Sequence, residues 1–191
     1  MDLLYQYMIP FLWLACSAYW LVSASKVKTT AREELIASRA AHLVPMTVAI
    51  LLLFAPRSWP WGVLGERMFS DGPVTHWIGA AVVAAGLGFA VWARVHLGKN
   101  WSGTVTIKSG HELIRSGPYR FVRHPIYSGG LLAMAGTVVA RGELRGLLGV
   151  LIMFATMWWK LRREERWLGE AFGDDYAKYR SEVYALIPFL I

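Results

Sequence analysis

The sequence has a single cysteine, Cys16, and few charged residues. One cysteine cannot form an intramolecular disulfide or a cysteine-rich metal site. Charged residues make up only 17% of the 191-residue chain and hydrophobic residues make up 55%. Soluble domains contain about 25% charged residues and about 45–50% apolar residues. Because the apolar residues fall in long runs, this composition excludes an ordinary water-soluble fold and favours a protein that lies in a lipid bilayer.

Several signals of other functions are also missing. The net charge is +7, but no nucleic-acid recognition motif accompanies it, so we expect no nucleic-acid partner. No cluster of His, Cys and Asp has the spacing of metal ligands, and we predict no metal site. The N-terminus has neither a basic segment nor a small-residue cleavage site, so the first apolar run is predicted to be retained.

Five apolar segments are predicted to cross or enter the bilayer, which gives an all-α, polytopic membrane fold. They are residues 3–24, 40–55, 75–97, 126–140 and 144–161. The second and fourth are shorter than the roughly 20 residues that a spanning helix needs. A tilted, re-entrant or protein-buried helix therefore remains open for each of these two.

Gly86 and Gly88 begin like a dinucleotide-binding fingerprint, but Val91 stands where the third glycine should be. The stretch also lies inside an apolar helix and does not follow a strand. Small residues at these positions instead predict close packing between two helices.

The basic residues are distributed unevenly over the connections between these segments. With five spans, sixteen Lys and Arg residues lie on one face and four on the other. The positive-inside rule assigns the basic-rich face to the cytoplasm. We therefore predict that the N-terminus is outside and the C-terminus cytoplasmic.

Chemistry-bearing residues are concentrated in the second half of the chain. Residues 1–75 form predicted N-terminal membrane helices with little recognisable chemistry. Residues 76–191 form a predicted catalytic core, which contains the last three membrane helices and two polar stretches on the same face.

The first polar stretch surrounds Arg123-His124-Pro125. Proline suits the first turn of a helix, so the fourth helix is predicted to begin near Pro125. The free N–H groups of that helix start, with Arg123 and His124 beside them, would suit an anion such as a carboxylate. Alternatively, Arg123 marks the membrane boundary and His124 caps the helix. Tyr119 and Tyr127 are either membrane-interface residues or partners of a cationic ligand.

The second polar stretch follows the fifth apolar segment and contains Glu164 and Glu165. Adjacent helical residues point about 100° apart, so at most one of the two is expected to face a given pocket. A solvated charged helix is the alternative. Both residues lie within a turn of the apolar segment, where ionisable groups more often serve function.

These stretches resemble the isoprenylcysteine carboxyl methyltransferase family. Gly117-Pro118-Tyr119 followed by Arg123-His124-Pro125-Ile126-Tyr127 is similar to its Arg-His-Pro-x-Tyr signature. Glu164-Glu165-x-x-Leu168 and later tail residues follow its C-terminal pattern, and His111-x-Leu113-Ile114 resembles its lead-in. Phospholipid methyltransferases resemble the same pattern more loosely. The resemblance covers residues 97–191.

The resemblance implies S-adenosylmethionine as cofactor, bound at the cytoplasmic side of the last helices. It implies Arg123 and Glu165 as catalytic residues, with Arg123 gripping a carboxylate of either the cofactor or the substrate. The implied cofactor-binding residues are His111, Leu113, Ile114, Tyr119, His124, Pro125, Tyr127, Glu164 and Glu165.

Methyl transfer to a lipophilic acceptor follows from this resemblance, with an isoprenylcysteine-like carboxylate as the first candidate. A thiol or a phospholipid amine is an alternative acceptor. An NADPH-dependent reductase of the sterol type and a non-catalytic scaffold are alternative functions. The expected partners are a lipophilic small molecule or lipidated substrate and membrane lipids, and the expected location is a bacterial inner membrane.

Overall fold

The computed structural model describes residues 2–24, 27–33, 35–108, 110 and 112–188. Within these residues the fold is helical, with one small sheet. The helices are α1 (Asp2–Ala24), α2 (Ile36–Phe54), α3 (Pro73–Leu97), α4 (Pro125–Arg141), α5 (Leu144–Phe172) and α6 (Asp174–Glu182). The strands are β1 (Thr30–Glu33) and β2 (Thr106–Lys108), which pair antiparallel.

Four of these helices, α1, α2, α3 and α5, are long and apolar enough to cross a membrane. The second predicted segment is longer than expected, because α2 begins at Ile36 and has 19 residues. The fourth remains short, since α4 has 17 residues. The helical membrane fold is confirmed, whereas the number of five crossing helices stays a prediction.

The two-stranded sheet was not expected from the sequence. β2 lies in a stretch rich in β-branched residues, which favour extended backbone. The pairing of β1 with β2 joins the connection after α1 to the connection after α3. The sheet therefore ties the N-terminal part of the chain to the segment that leads into the predicted site.

Close packing of α3 against α4 depends on glycine. A Cβ added to Gly86 would lie 2.5 Å from the backbone nitrogen of Ala133, and one added to Gly129 would lie 2.5 Å from the carbonyl oxygen of Gly86. Gly79 and Gly136 form a similar close contact nearer the start of α3 and the end of α4. The packing prediction is therefore confirmed for Gly86. It is wrong for Gly88, which is exposed and has no neighbouring helix within 4 Å of an added Cβ.

The first two helices pack on this core. Ile9 of α1 joins a buried cluster with Val83 and Leu87 of α3, and Leu53 of α2 joins another with Met153 of α5. The predicted boundary between residues 75 and 76 falls in the first turn of α3, which begins at Pro73. The division into a membrane region and a catalytic region stays a prediction.

An ionic cluster with a buried centre, Glu143 and Arg145, lies at the end of the fold where α4 stops and α5 starts. We call Arg57, Arg141, Glu143 and Arg145 the far-end cluster. Glu143 forms ion pairs with all three arginines. Arg141 and Arg145 also donate to the carbonyl oxygen of Ala55, the C-cap of α2. The cluster therefore fastens the ends of α2 and α4 to the start of α5.

Candidate active site

The α4–α5 hairpin brings the two polar stretches together. Helix α4 begins at Pro125, as predicted, and its end at Arg141 is followed by Gly142 in the left-handed conformation, with φ of 69°. Helix α5 then runs back for 29 residues. The residues around Arg123 consequently meet Glu164 and Glu165 although about forty residues separate them in sequence.

Arg123 and Glu165 form a buried ion pair. Nε and Nη2 of Arg123 lie 2.8 and 2.7 Å from Oε1 of Glu165. The two side chains are only 9% and 6% exposed. Nη1 of Arg123 donates to the carbonyl oxygens of Arg180 and Val183. Most of the guanidinium is therefore engaged within the protein.

The C-terminal segment 183–186 holds this region from the other side. The backbone N–H groups of Arg123 and His124 donate to the carbonyl oxygens of Tyr184 and Ala185 at 2.8 and 3.0 Å. Ser128 Oγ donates to the carbonyl oxygen of Leu186 at 2.6 Å. These bonds fix the backbone that enters α4.

His124 occupies the N-cap position of α4, but its side chain makes no capping hydrogen bond. Its ring turns toward α5, where Nε2 lies 3.3 Å from Glu165 Oε1 and Nδ1 lies 3.6 Å from Glu164 Oε2. The ring also stacks on Tyr127, with centroids 5.6 Å apart. His124 therefore connects the two glutamates, which is more than a helix cap would require. Together, Arg123, His124, Glu164 and Glu165 form what we call the site-end cluster.

Glu164 is held by residues of both hairpin helices. The hydroxyl group of Tyr127 donates to Glu164 Oε1 at 2.7 Å. Lys160 Nζ lies 3.9 Å from the same oxygen and 5.5 Å from the centroid of the Tyr127 ring. The carboxylate is 21% exposed, so it stays accessible while its orientation is fixed.

A cavity opens beside Glu164, and we call it the site cavity. It contains about 740 Å³ of empty space, part of it open to the surroundings. Its walls are the start of α4, the 3-10 turn Gly117–Arg120 before it, the late part of α5 and the segment after α3. The lining residues are Leu97, Asn100, Trp101, Ser102, Thr104, Val105, Thr106, Tyr119, Arg123, His124, Ile126, Tyr127, Glu164, Trp167 and Leu168.

The segment 97–106 forms one side of the site cavity, and we call it the wall segment. Trp101 packs beneath the guanidinium of Arg94, 4.6 Å from its ring centroid, and contacts the ring of Trp20 edge-on. Arg94 in turn donates to the carbonyl oxygens of Ser23 and Gly98. The end of α1 therefore supports a wall of the site.

Tyr119 forms the floor of the cavity together with the start of α4. Its side chain is buried, and burial raises the pKa of its hydroxyl above the ordinary tyrosine range. Tyr179 of α6 donates to the carbonyl oxygen of Tyr119 at 2.6 Å. Burial likewise raises the pKa of Tyr179 to about 12. Both hydroxyls therefore remain neutral at physiological pH.

The lining suits a ligand that carries an aromatic ring and a cation. Aromatic side chains can stack on a flat ring or lie against a cation. Glu164 supplies a carboxylate at the wall.

The structure brings together most of the residues predicted for the site, but not all on one surface. Tyr119, Arg123, His124, Tyr127 and Glu164 line the site cavity. Pro125 is buried at the first turn of α4 behind them. Glu165 faces a second cavity, on the side of Arg180 and Tyr184. This agrees with the expectation that the two glutamates face different ways.

Two residues of the predicted lead-in, Leu113 and Ile114, are not among those that line the site cavity in the described part of the chain. Both are half-buried. The prediction for His111 falls on a residue outside those described. The roles assigned to these three residues therefore stay predictions.

Sequence reasoning missed the wall segment and Trp167. The largely polar residues Asn100-Trp101-Ser102-Gly103-Thr104 follow shortly after the long apolar run of α3. This change in composition was the signal that could have indicated the wall segment. It also missed Lys160, which is only 8% exposed and donates to the carbonyl oxygen of Gly103 at 2.8 Å. A buried lysine within a spanning helix is unusual enough to indicate function.

Comparison with known proteins agrees with this geometry. A sequence model of the phospholipid methyltransferase family matches residues 74–175, more than half of the chain. The matched region contains the wall segment, the start of α4 and the glutamates of α5.

The chain is also similar to individual methyltransferases. It is 29% identical over 160 residues to a probable protein-S-isoprenylcysteine O-methyltransferase of Oryza sativa subsp. indica, covering 83% of this chain and 78% of that protein. It is 34% identical over 105 residues to the protein-S-isoprenylcysteine O-methyltransferase of Schizosaccharomyces pombe, covering 51% and 43%. Methanethiol S-methyltransferase 1 of Bradyrhizobium diazoefficiens is 39% identical over 72 residues, covering 37% and 24%.

Among solved structures, the fold is similar to that of the eukaryotic intramembrane Ras methyltransferase ICMT (isoprenylcysteine carboxyl methyltransferase). The TM-score is 0.54 at 24% sequence identity, and the match covers 82% of this chain. The chain spans 54% of the length of that structure. This likeness supports the helical membrane fold. The predictions of a membrane protein and of a methyltransferase are confirmed, and the reductase and scaffold alternatives lose support. On the family match, the chain belongs to the phospholipid methyltransferase family.

Proposed function

We propose that the site cavity binds S-adenosylmethionine and that the protein transfers its methyl group to a lipophilic acceptor, with an isoprenylcysteine-like carboxylate as the first candidate. The observation that carries this proposal is the arrangement at Glu164. Tyr127 and Lys160 hold this carboxylate at the wall of an amphipathic cavity, beside His124. The relatives named above that act on isoprenylcysteine support the choice of acceptor.

The residues present fit the cofactor. S-adenosylmethionine supplies an electrophilic methyl group on a sulfonium cation, joined to adenosine and an amino acid. Glu164 would hold polar or cationic groups of this ligand. Tyr119 and Tyr127 would pack against its apolar and cationic parts. Because these contacts also stabilise the bound ground state, they aid binding more than the chemical step.

His124 and Pro125 would position the cofactor at the start of α4. Pro125 pre-sets the first helical turn. The hydrogen bonds of segment 183–186 hold the preceding backbone in place. We also propose that the cofactor contacts three residues that precede Tyr119 in the chain, His111, Leu113 and Ile114.

Arg123 and Glu165 are the proposed catalytic pair. Because the guanidinium of Arg123 already faces Glu165, a ligand carboxylate would have to share Arg123 with Glu165. Two N–H groups of Arg123 converge on one oxygen of Glu165, an arrangement that the planar guanidinium of arginine permits. We propose that Glu165 sets the orientation of Arg123, which then grips a carboxylate of the cofactor or the acceptor.

The acceptor chemistry requires little from the protein beyond positioning. A carboxylate or thiolate can attack the methyl group without a general base, whereas a neutral amine must lose a proton. Rate would then come from alignment and the exclusion of water. A thiol acceptor draws support from the Bradyrhizobium diazoefficiens relative, and a phospholipid amine from the family description.

The proposed orientation puts the site on the cytoplasmic face of a bacterial inner membrane, with the N-terminus outside. The cations near the site support it, since Arg115, Arg120, Arg162, Arg163 and Arg180 all lie at the end of the fold where α5 finishes. Positive residues of this kind are typical of the cytoplasmic side.

The cofactor proposal is tested by calorimetric titration of S-adenosylhomocysteine into purified protein. Glu164→Gln should weaken binding about tenfold to hundredfold, because a hydrogen bond to a charged group contributes about 1.5–3 kcal/mol. Glu170→Gln, an exposed change on the same helix, is the matched control and should bind like the wild type. A folded wild-type sample that binds none of the ligand would refute the proposal.

The acceptor is tested separately with radiolabelled S-adenosylmethionine. Protein in lipid nanodiscs should methylate N-acetyl-S-farnesylcysteine faster than a long-chain thiol or phosphatidylethanolamine. A product that resists mild base would exclude a methyl ester. Preference for the thiol or the lipid amine would replace the carboxylate acceptor but leave the cofactor site intact.

A further inference from the structure

Asn100 carries an unexplained polar atom in the site cavity. The residue is 7% exposed, it lines the cavity, and its Oδ1 is buried without a hydrogen-bond partner. A buried amide oxygen without a donor is costly, and most such atoms in folded proteins are satisfied. An orphaned acceptor in a cavity wall therefore indicates a ligand that brings a donor.

The position of Asn100 is fixed by its surroundings. It ends the 3-10 turn Gly98–Asn100, which directly follows α3. The next residue, Trp101, is packed against Arg94 and Trp20. Because the neighbouring Trp101 is packed in this way, the backbone at Asn100 could not rotate its amide toward solvent without breaking these contacts.

We propose that Asn100 is a cofactor-recognition residue, whose Oδ1 accepts a hydrogen bond from an N–H group of S-adenosylmethionine. Two groups of that molecule supply such a donor, the 6-amino group of adenine and the α-ammonium group. The adenine edge matches an amide especially well, because it offers a donor beside an acceptor. This inference rests on the proposed function of the cavity.

The test uses Asn100→Leu, which keeps the volume of the side chain but removes its donor and acceptor. Binding of S-adenosylhomocysteine should weaken about tenfold, the loss expected for one hydrogen bond in a closed site. Without ligand, the thermal midpoint should stay equal or rise, since an unsatisfied polar group has been removed. If Asn100 had only a structural role, the midpoint would fall instead. Should Asn100→Leu fail to fold, Asn100→Ala carries the same test.

A second ligand identifies the donor group. 5′-Methylthioadenosine contains the adenine but lacks the amino acid. An equal loss of affinity for both ligands in Asn100→Leu assigns the donor to adenine. A loss confined to S-adenosylhomocysteine assigns it to the α-ammonium group. Lys99→Gln, an exposed neighbour that does not line the cavity, is the control and should change neither affinity.

Different results refute the role of Asn100 and the cofactor site. If the wild type binds S-adenosylhomocysteine but Asn100→Leu binds it equally well, the role of Asn100 is refuted and the cofactor site survives. If the wild type binds neither ligand, the proposed function falls and the role of Asn100 falls with it.

Discussion

The two ends of the α4–α5 hairpin carry buried clusters built from nearly the same residue types. At the far end, Glu143 is surrounded by Arg57, Arg141 and Arg145. At the site end, Glu165 is paired with Arg123 and His124. Burial and charge alone therefore do not distinguish a functional cluster from a structural one.

The difference lies in the other residues that each cluster contains. Far-end arginines donate to backbone carbonyls at helix ends, those of Ala55 and Arg141. At the site end Arg123 likewise donates to backbone carbonyls, those of Arg180 and Val183. This cluster also includes a histidine that turns away from its capping position, and a second carboxylate, Glu164, that is held at a cavity wall. Both clusters border cavities, so what sets the site end apart is a second carboxylate that Tyr127 and Lys160 orient at a cavity wall.

The largest effect is expected from breaking the far-end cluster. Glu143→Gln leaves three arginines without their shared carboxylate, and breaking a buried ion pair costs about 3–5 kcal/mol. The thermal midpoint in detergent should fall strongly, while the folded fraction should still bind S-adenosylhomocysteine with unchanged affinity. Glu66→Gln, an exposed change near the same end, is the control. Lost affinity in the folded fraction would contradict the comparison.

Glu165→Gln should lower both stability and ligand affinity. It leaves Arg123 unpaired in a buried position, at a cost of about 3 kcal/mol, and it frees His124 from one of its carboxylate contacts. Thermal unfolding and calorimetry on the same sample measure the two losses. Arg123→Lys should reproduce them in part, since lysine cannot keep both bonds to Glu165. A loss of stability alone would assign the pair to the fold.

Lys160→Met should weaken cofactor binding with a smaller effect on folding. Lys160 joins Glu164 to the wall segment through its bond to the carbonyl of Gly103. Removing it should raise the KM for S-adenosylmethionine about tenfold and leave kcat little changed. Arg163→Met, three residues along, is the control, because Arg163 contacts Ser38 and Trp159 instead. Equal effects from both variants would contradict a role of the wall segment in cofactor binding.

The smallest effect is expected at Tyr179, which supports the floor of the cavity. Burial raises its pKa from 10.0 to about 12. The neutral form is therefore favoured by folding, and its contribution is fully present below pH 10 and is lost as the pH rises through about 12. Tyr179→Phe should cost about 1 kcal/mol at neutral pH and should flatten this alkaline loss. A stability curve unchanged between pH 9 and 12 would contradict it.

The sequence allowed the helices and part of the site to be predicted because those signals are local. Apolar runs define α1, α3 and α5, and Pro125 marks the start of α4 within its own turn. The Arg123-His124 and Glu164-Glu165 pairs stand out by their composition beside apolar segments. The resemblance to a methyltransferase family then joins two stretches that local physics treats separately.

The remaining features depend on contacts between distant residues. The bond from Arg123 to Glu165 spans 42 positions and the one from Lys160 to Gly103 spans 57, and no local pattern predicts either. The early start of α2 is likewise tertiary, since Ser38 in its first turn accepts a hydrogen bond from Arg163 of α5. Asn100 becomes noticeable only when its burial and its missing partner are both known.

A structure of the protein with S-adenosylhomocysteine bound would show directly whether the site cavity holds the cofactor. Ligand density is expected in the site cavity, between Asn100 on the wall segment and Glu164 on α5, with the far-end cluster unchanged. Density in the cavity on the Glu165 side, or at the far-end cluster, would contradict this expectation.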